Sequence, residues 1–482
     1  MNVGAREVIE AVGAGPAGPR IGAFFDLDGT LVRGYTAESI YRDRIGRADI
    51  GPAELARAGA AALDGIRNGG AAHAVAETGL AALRGRTVAS ATETGERLFA
   101  QRIAGTMRPE ARDLVRTHRE MGHTVVVASS ATRFQIEPVA RDLGITHILC
   151  TELEDEDGVL TGRSTTGLLW GEPKAAAVRK FARKHRIGLG RSYGYANGPE
   201  DVAFLGAVGQ PYAVNPHPDL RRAADDRGWP VLTLREPRSP GLRAVLGTIG
   251  GLAGVNIGLS TGLAYGWLTG DHRLGVNTGI GLSADLALAH AGVRLDVIGA
   301  DKLEKARPAV FIANHQSTLD VVVLGALLRH DFTAVAKKEA RHDPRMLAVS
   351  AVLDPVFIDR SDLTKAKQSM DGVVRRLRAG TSILIFPEGT RMPTPALGRF
   401  KKGAFHIARQ AGVPIVPIVL RNTGELAWRR SLFVNPGTVD VAALDPIPAG
   451  DWPADELDQR IAEVRGRFAD TLAHWPKPVC AS

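Results

Sequence analysis

Two stretches of this chain have residue types and spacing that most directly suggest chemistry: Asn314-His315-Gln316-Ser317-Thr318-Leu319-Asp320 and Phe386-Pro387-Glu388-Gly389-Thr390-Arg391. A histidine followed five residues later by a carboxylate offers a base with its orienting partner, and the Glu-Gly-Thr-Arg run offers an anion clamp. Together they would let a substrate alcohol attack a thioester carbonyl without a protein nucleophile. On a continuous helix His315 and Asp320 would lie about 140° apart, at about 100° per residue. They can meet only if His315 sits on the turn before the helix that carries Asp320. Asp320 would then accept from the imidazole Nδ1 and leave Nε2 to take the hydroxyl proton. A second constellation, Asp26-Leu27-Asp28-Gly29-Thr30, sets two carboxylates at the end of a hydrophobic run, the arrangement that makes and breaks an aspartyl-phosphate.

The elements that must position these residues follow from apolar runs. With 482 residues the chain is too long for one ordinary core, and two or three domains are expected. Residues 21–25 read as a buried parallel strand delivering Asp26 at its carboxyl end, and residues 124–128 as a second strand ending in Ser129-Ser130. Residues 148–151, 192–196 and 211–214 are further strands, while residues 34–108 are Ala-rich with helical spacing. The pattern is a doubly wound α/β domain with a helical insertion. Past Asp296 the α/β alternation resumes, and residues 308–313 form a strand feeding directly into Asn314-His315. Residues 1–20, with glycines and prolines among alanines and no basic start before an apolar core, read as a flexible tail and not a secretory signal.

Residues 21–234 resemble the haloacid dehalogenase superfamily, in the subgroup with a helical cap after the first motif that includes phosphoserine-phosphatase-like enzymes. The resemblance implies that Asp26 is the nucleophile, Asp28 the general acid/base, Ser129 the phosphate-binding hydroxyl and Lys174 the charge-neutralising residue. It also implies Mg²⁺ held by Asp26, Asp28, Asn197 and Asp201. This chain departs from the family at Asn197-Gly198-Pro199-Glu200-Asp201, where an amide stands in place of the first carboxylate. An amide oxygen still ligates a hard cation but removes one negative charge. Two readings stand: a Mg²⁺-dependent phosphomonoesterase, or a weakened domain acting as sensor or assembly module. Glu200 either supplies the missing charge or points to solvent.

Residues from about 274 to 475 resemble the glycerolipid acyltransferases, most closely the 1-acylglycerol-3-phosphate enzymes. The family's motifs occur in order: His315 with Asp320, then Phe357-Ile358-Asp359-Arg360, Glu388-Gly389-Thr390-Arg391 and Val413-Pro414-Ile415-Val416-Pro417. Asp354-Pro355-Val356 departs from the glycine usual before the second motif. By resemblance, Arg360, Glu388 and Arg391 bind the phosphate and glycerol of the acceptor, with Asn314, Gly389 and Thr390 beside them. The implied reaction is acyl transfer from acyl-CoA or acyl carrier protein to lysophosphatidic acid, giving phosphatidic acid. Another lysolipid or glycerol 3-phosphate remains an alternative acceptor. Lys401 and Lys402 either extend the anionic pocket or are solvated, and Trp428, Trp452 and Trp475 either line an acyl groove or pack.

Between these regions Arg235-Glu236-Pro237-Arg238-Ser239-Pro240 reads as a linker, and residues 244–270 carry no charged side chain. Gly254, Gly258, Gly262, Gly266 and Gly270 recur every four residues, and residues 275–291 form a second apolar segment containing Asp285 and His290. A membrane-associated helical hairpin is expected, with its bare glycine face available for close packing or a homodimer. The expected organisation is thus a tail (1–20), a phosphatase domain (21–236, cap about 34–108), linker and hairpin (237–292), and an acyltransferase domain (293–482). A net charge of +8 favours anionic partners such as membrane phospholipids, whereas scattered arginines and 5% aromatic content argue against nucleic acid. Only Cys150 and Cys480 occur, so neither disulfides nor a zinc site are expected. A cytosol-facing, peripheral or monotopic location on the cell membrane follows.

Overall fold

Strands buried on both faces have no polar side to alternate with, and the central strands are accordingly short unbroken apolar runs. The computed structural model describes residues 2–47, 60, 79–337, 355–358 and 363–476 and divides into two units, Met1–Pro237 and Arg238–Ser482. In the first unit the strands are β1 (Asn2–Gly4), β2 (Gly22–Phe25), β3 (Thr124–Thr132), β4 (His147–Thr151), β5 (Leu153–Glu156), β6 (Val159–Ser164), β7 (Tyr193–Ala196), β8 (Gln210–Val214) and β9 (Val231–Thr233). Seven of them form one parallel sheet in the order β1-β9-β8-β7-β2-β3-β4, and β5 and β6 make a separate antiparallel ribbon. Every residue of β2 is buried. This strand lies where the winding changes direction, between β3 and β7, and the carboxyl ends around such a point form a natural crevice. The Asp26 N–H donates to Tyr195 O at 2.9 Å, carrying the pairing one residue past β2.

The first twenty residues are not a tail. Strand β1 pairs with β9, and the helix Ala5–Gly13 buries Val8 and Val12 on one face. The glycines and prolines that suggested disorder begin only at the end of this helix, with Gly13, and Val8 and Val12 supply the i, i+4 apolar stripe that docks it. Beyond the helix, Pro16 O bonds His123 Nε2 at 2.9 Å, and His123 Nδ1 meets His118 Nδ1 at 2.8 Å. His118 Nε2 in turn meets the Tyr195 hydroxyl at 2.9 Å. Burial, and secondarily His123, pushes His118 down to about 3, so it serves as a neutral link in a chain from the N-terminal segment to the strand that holds Asp26. Between β2 and β3, the helices Thr36–Gly46 and Val88–Gln101 belong to the cap segment.

The second unit opens with the helix Leu242–Thr269, long and apolar enough by length and composition to cross a membrane, followed by His272–Ala291. Gly270 turns the chain at φ 70°, and Asp271 caps the second helix by accepting from Leu274 N–H at 3.0 Å. The glycine stripe faces the partner helix: a Cβ on Gly258 would lie 2.4 Å from Ser283 N, and one on Gly262 would lie 2.5 Å from Gly275 O. The backbones approach so closely that Ser283 Oγ donates to Val255 O at 3.0 Å. The expected homodimer through these glycines is therefore corrected, because the bare face is already used within the hairpin. Leu246, Ile249, Leu252, Ile257 and Leu263 instead point outward, each more than half exposed. The second helix packs through Ile280 and Ala284 onto the core that also holds Leu319 and Val323.

That core surrounds the strands β10 (Val293–Ile298), β11 (Val310–Ala313), β12 (Phe332–Lys337), β13 (Val356–Ile358), β14 (Ser382–Ile385), β15 (Ile415–Arg421) and β16 (Gly437–Ala443). Their order is β10-β16-β15-β11-β14-β12-β13, parallel except between β15 and β16. Strand β11 is central and wholly buried, and its carboxyl end delivers Asn314 and His315. Replacing Gly262 by Val should force the two hairpin helices apart and cost about 1–3 kcal/mol through overpacking. Thermal unfolding in detergent would register this as a lowered Tm, with a smaller change for Leu263→Ala on the opposite face.

Candidate active sites

At the end of β11 the Asn314 side chain continues the strand's pairing: its Nδ2 donates to Leu420 O at 2.8 Å and its Oδ1 accepts from Leu420 N–H at 2.8 Å. With both ends of a buried amide engaged by the backbone of Leu420, Asn314 fixes the turn, whereas its expected place is beside the acceptor. His315 follows on that turn, and Asp320 lies in the first turn of the helix Leu319–Leu328. The structure brings the two together, Nδ1 to Oδ2 at 2.8 Å. The same oxygen accepts from the N–H groups of Gln316 at 2.7 Å and Ser317 at 2.9 Å. Asp320 is fully buried, and its other oxygen has no hydrogen-bond partner among the described residues. Three donors on one oxygen hold the carboxylate and direct the imidazole's donor inward, leaving Nε2 with a free lone pair. The ring stacks on Phe386 at 3.8 Å, so its plane is set as well.

Beyond β14, the turn carrying Glu388, Gly389, Thr390 and Arg391 closes over this dyad. Gly389 adopts φ 70° and donates to Phe386 O at 3.0 Å, and Met392 N–H reaches His315 O at 2.7 Å. Burial pushes the Glu388 carboxyl up to about 8, although the backbone N–H groups of His315 and Gly398 pull the other way. It is therefore protonated at neutral pH, with Oε2 unpartnered among the described residues. Thr390 is exposed, and Arg391 Nη1 donates to Thr318 Oγ1 at 3.2 Å. Arg360 lies outside the described residues.

Sequence reasoning missed Arg429 and Arg430. Their loop is tied to the site twice, by Ser317 Oγ donating to Ala427 O at 2.6 Å and by Trp428 Nε1 donating to Pro393 O at 3.0 Å. Burial and then the neighbouring charges of Arg391 and Arg430 depress the Arg429 guanidinium. Like charges gathered in this way, with no carboxylate between them among the described residues, suit an anion. The signal in the sequence was a basic doublet after Trp428, well past the fourth motif, which ends at Pro417. Among the other expected residues, Lys402 is paired with Asp458 at 2.7 Å. Trp452 stacks against Phe405, and Trp475 lies against Arg421.

In the first unit Lys174 Nζ, itself buried, bridges Asp26 Oδ1 and Asp201 Oδ1 at 2.7 Å each. Burial opposes its charge, but Asp201 and Asp26 outweigh that and raise it. Asp28 is fixed by the N–H and hydroxyl of Thr36, at 2.8 and 3.2 Å. Burial pushes Asp26 up to about 8, with Lys174 pulling down and Asp201 adding to the rise, and pushes Asp28 up to about 6 against the hydrogen bonds from Thr36. Asp26, Asp28, Lys174 and Asn197 line a cavity of about 550 Å³, whereas Asp201 lies behind Lys174 and does not. Asp201 thus anchors the lysine and does not line the cavity where its expected role as a metal ligand would place it. Ser129 is buried with Oγ accepting from Ala131 N–H at 3.3 Å, and it is Ser130 that lines the cavity. Asn197 sits against Gly29, where a Cβ would come 2.1 Å from its Nδ2, and accepts weakly from Thr30 Oγ1 at 3.5 Å.

Residues 23–206 match the family model of haloacid dehalogenase-like hydrolases, and residues 294–421 match that of acyltransferases. A phosphoserine phosphatase of Mycobacterium tuberculosis is 34% identical over 221 residues, 45% of this chain and 71% of that protein. The chain belongs to the haloacid dehalogenase-like hydrolases. Its second part is an acyltransferase domain: a 1-acyl-sn-glycerol-3-phosphate acyltransferase of Saccharomyces cerevisiae is 36% identical over 184 residues, 38% of this chain. The chain spans 60% of the length of that yeast protein. The crystal structure of a 1-acyl-sn-glycerophosphate acyltransferase from Thermotoga maritima, 24% identical, covers 49% of this chain and 99% of its own, with a TM-score of 0.42.

In the acyltransferase domain the raised Glu388 carboxyl has a direct consequence for stability. Its folded value of about 8 exceeds the ordinary 4.5, so its contribution is complete at acid pH and is lost as pH rises through about 8. The Tm of the protein should fall across that window, and Glu388→Gln should flatten the fall. Differential scanning calorimetry from acid to mildly alkaline pH checks this, and parallel curves for the two proteins would contradict it.

Proposed function

We propose that the chain is a membrane-associated bifunctional enzyme whose second domain transfers an acyl chain from acyl-CoA or acyl carrier protein to lysophosphatidic acid, giving phosphatidic acid. The observation that carries this reading is the His315–Asp320 pair at 2.8 Å beside guanidinium groups that, among the described residues, depress rather than neutralise one another. His315 Nε2 removes the proton from the acceptor's hydroxyl as its oxygen attacks the thioester carbonyl. The C–S bond then breaks, and the imidazolium returns the proton to the departing thiolate. Asp320 supports the positive charge on the ring in between. Arg391, Arg429 and Arg430, with Arg360 from the second motif, bind the phosphate, and neutral Glu388 can donate to an acceptor oxygen.

The first domain is read as a phosphomonoesterase. An Asp26 oxygen attacks phosphorus, the ester P–O bond breaks, and Asp28 gives its proton to the departing alkoxide; water, deprotonated by Asp28, then cleaves the aspartyl-phosphate. The oxygen donors facing the cavity suit Mg²⁺, which Asp26, Asp28 and Asn197 would hold. When bound, it would neutralise charge on the phosphoryl oxygens. Asn197 favours a second reading, in which the lost carboxylate leaves the domain weakly active and mainly a sensor or assembly module.

Membrane association is supported by the outward apolar face of the hairpin. Its first helix has 28 residues, or about 42 Å at 1.5 Å per residue, against a hydrocarbon core of about 30 Å. A hairpin that enters and leaves on one side keeps what precedes and follows it on the cytoplasmic face.

The two activities should separate by mutation. His315→Ala should lower acyl transfer to lysophosphatidic acid by roughly 10²–10⁴-fold and leave phosphate release intact, while Asp26→Asn should do the reverse. A labelled acyl-CoA assay run beside a phosphate-release assay reads both, and residual transfer within a few-fold in His315→Ala would refute the dyad. Arg429→Ala should raise KM for lysophosphatidic acid about tenfold or more, as expected for loss of a charge-assisted contact, with a much smaller change for an acceptor lacking the phosphate. An equal effect on both acceptors would remove Arg429 from the phosphate site.

A further inference from the structure

The cavity above Asp26 has two chemically different ends. Its floor is ionic, made by Asp26, Asp28, Lys174 and Asn197, and its walls are apolar and aromatic, including Tyr35, Leu80, Leu83, Phe134, Leu169 and Trp170. Leu80, Leu83, Phe134 and Leu169 are each less than 10% exposed, so this surface is built into the fold. A small zwitterion such as phosphoserine would need one fixed cation and one fixed anion on the wall, beyond the groups that hold its phosphate. Among the described lining residues, the wall does not offer that pair fixed in place. Glu38 is more than half exposed and accepts from Arg42 at 2.6 Å. Gln135 is filled, accepting from Thr132 N–H at 2.9 Å and donating to Thr36 Oγ1 at 3.1 Å. Glu200 stands at the floor, where burial and Asp201 push its carboxyl upward. Arg44 is the one cation on the wall among the described lining residues, and a guanidinium is matched to an ester carbonyl or a hydroxyl as well as to a carboxylate.

We propose that this site takes a phosphomonoester whose alcohol carries a single long apolar chain, of the class of a monoacylglycerol phosphate, in preference to phosphoserine. The phosphate rests on the ionic floor, the glycerol ester passes Arg44, and the chain runs along the leucine and aromatic wall. At about 550 Å³ the cavity lies within the range that encloses a ligand of drug size, about 300–1,000 Å³. That suits one chain and not two. This inference rests on the reading of Asp26 as phosphoryl acceptor. It makes the acyl acceptor of the second domain a substrate of the first, so the same chain would both acylate and dephosphorylate one lipid class.

The test uses the full-length protein in detergent with Mg²⁺ and no acyl donor, following inorganic phosphate released from lysophosphatidic acids of increasing chain length, glycerol 3-phosphate and phosphoserine. The expected result is a kcat/KM that rises with chain length and exceeds that for phosphoserine by about tenfold or more, the scale of a few buried methylenes. Leu169→Glu should collapse that preference, and Leu169→Met should keep it. Phosphoserine hydrolysed as well as the long-chain substrate, or no dependence on chain length, overturns the inference while leaving the phosphatase reading in place. Failure to release phosphate from any of the substrates, or release that survives Asp26→Asn, overturns both.

Discussion

A carboxylate taken out of water must be met by protons or cations, and both sites of this protein are organised by that demand. Asp320 is fully buried and receives three donors on one oxygen, which is what places His315 and decides its tautomer. Asp26 and Asp201 share a single buried ammonium. Where compensation is incomplete, the carboxyl groups hold their protons more tightly: Glu388 and Asp26 are both pushed up to about 8 by burial. The same incompleteness shapes the sites, since carboxyl oxygens gather in one and a carboxyl that holds its proton in the other adds little negative charge beside Arg391 and Arg429.

Both pairs of groups sit at the carboxyl ends of central parallel strands, because that is where the first residues outside a strand meet a crevice and still inherit its rigidity. Asp26 is held by a backbone bond one residue beyond β2. Asn314 achieves the same beyond β11 with its side chain, replacing the ladder bonds that the backbone no longer makes. A residue that looked like part of the chemistry is thus a structural splint for it.

The hairpin inverts the usual arrangement of a helix pair. Its glycines form the buried seam, where only a hydrogen in place of a Cβ permits the approach seen between Gly258 and Ser283, and its leucines and isoleucines face outward. Glycine in a water-exposed helix costs about 1 kcal/mol relative to alanine. In lipid the helix is enforced by its own backbone hydrogen bonds, and close packing is a main source of helix association.

By itself, the sequence determined that there are two α/β parts, which strands run through their centres, and which residues emerge from those strands. Apolar runs and ordered motifs are local properties that composition and spacing carry. It also located the glycine seam, through its four-residue period, though not the surface that the seam contacts. Other features depended on neighbours distant in the chain. Val8 and Val12 make the N-terminal segment a helix only because a face exists for them to dock on, beside an edge strand completed by Val231–Thr233. Asp201 was indistinguishable from a metal ligand until Lys174 was seen between it and Asp26. Arg429 joined the anion site only through a loop tied down by Trp428 and Ser317. Whether a charge is a ligand, an anchor or part of a receptor is set by which opposite charges lie within a few ångströms of it, and that distance is a property of the folded chain alone.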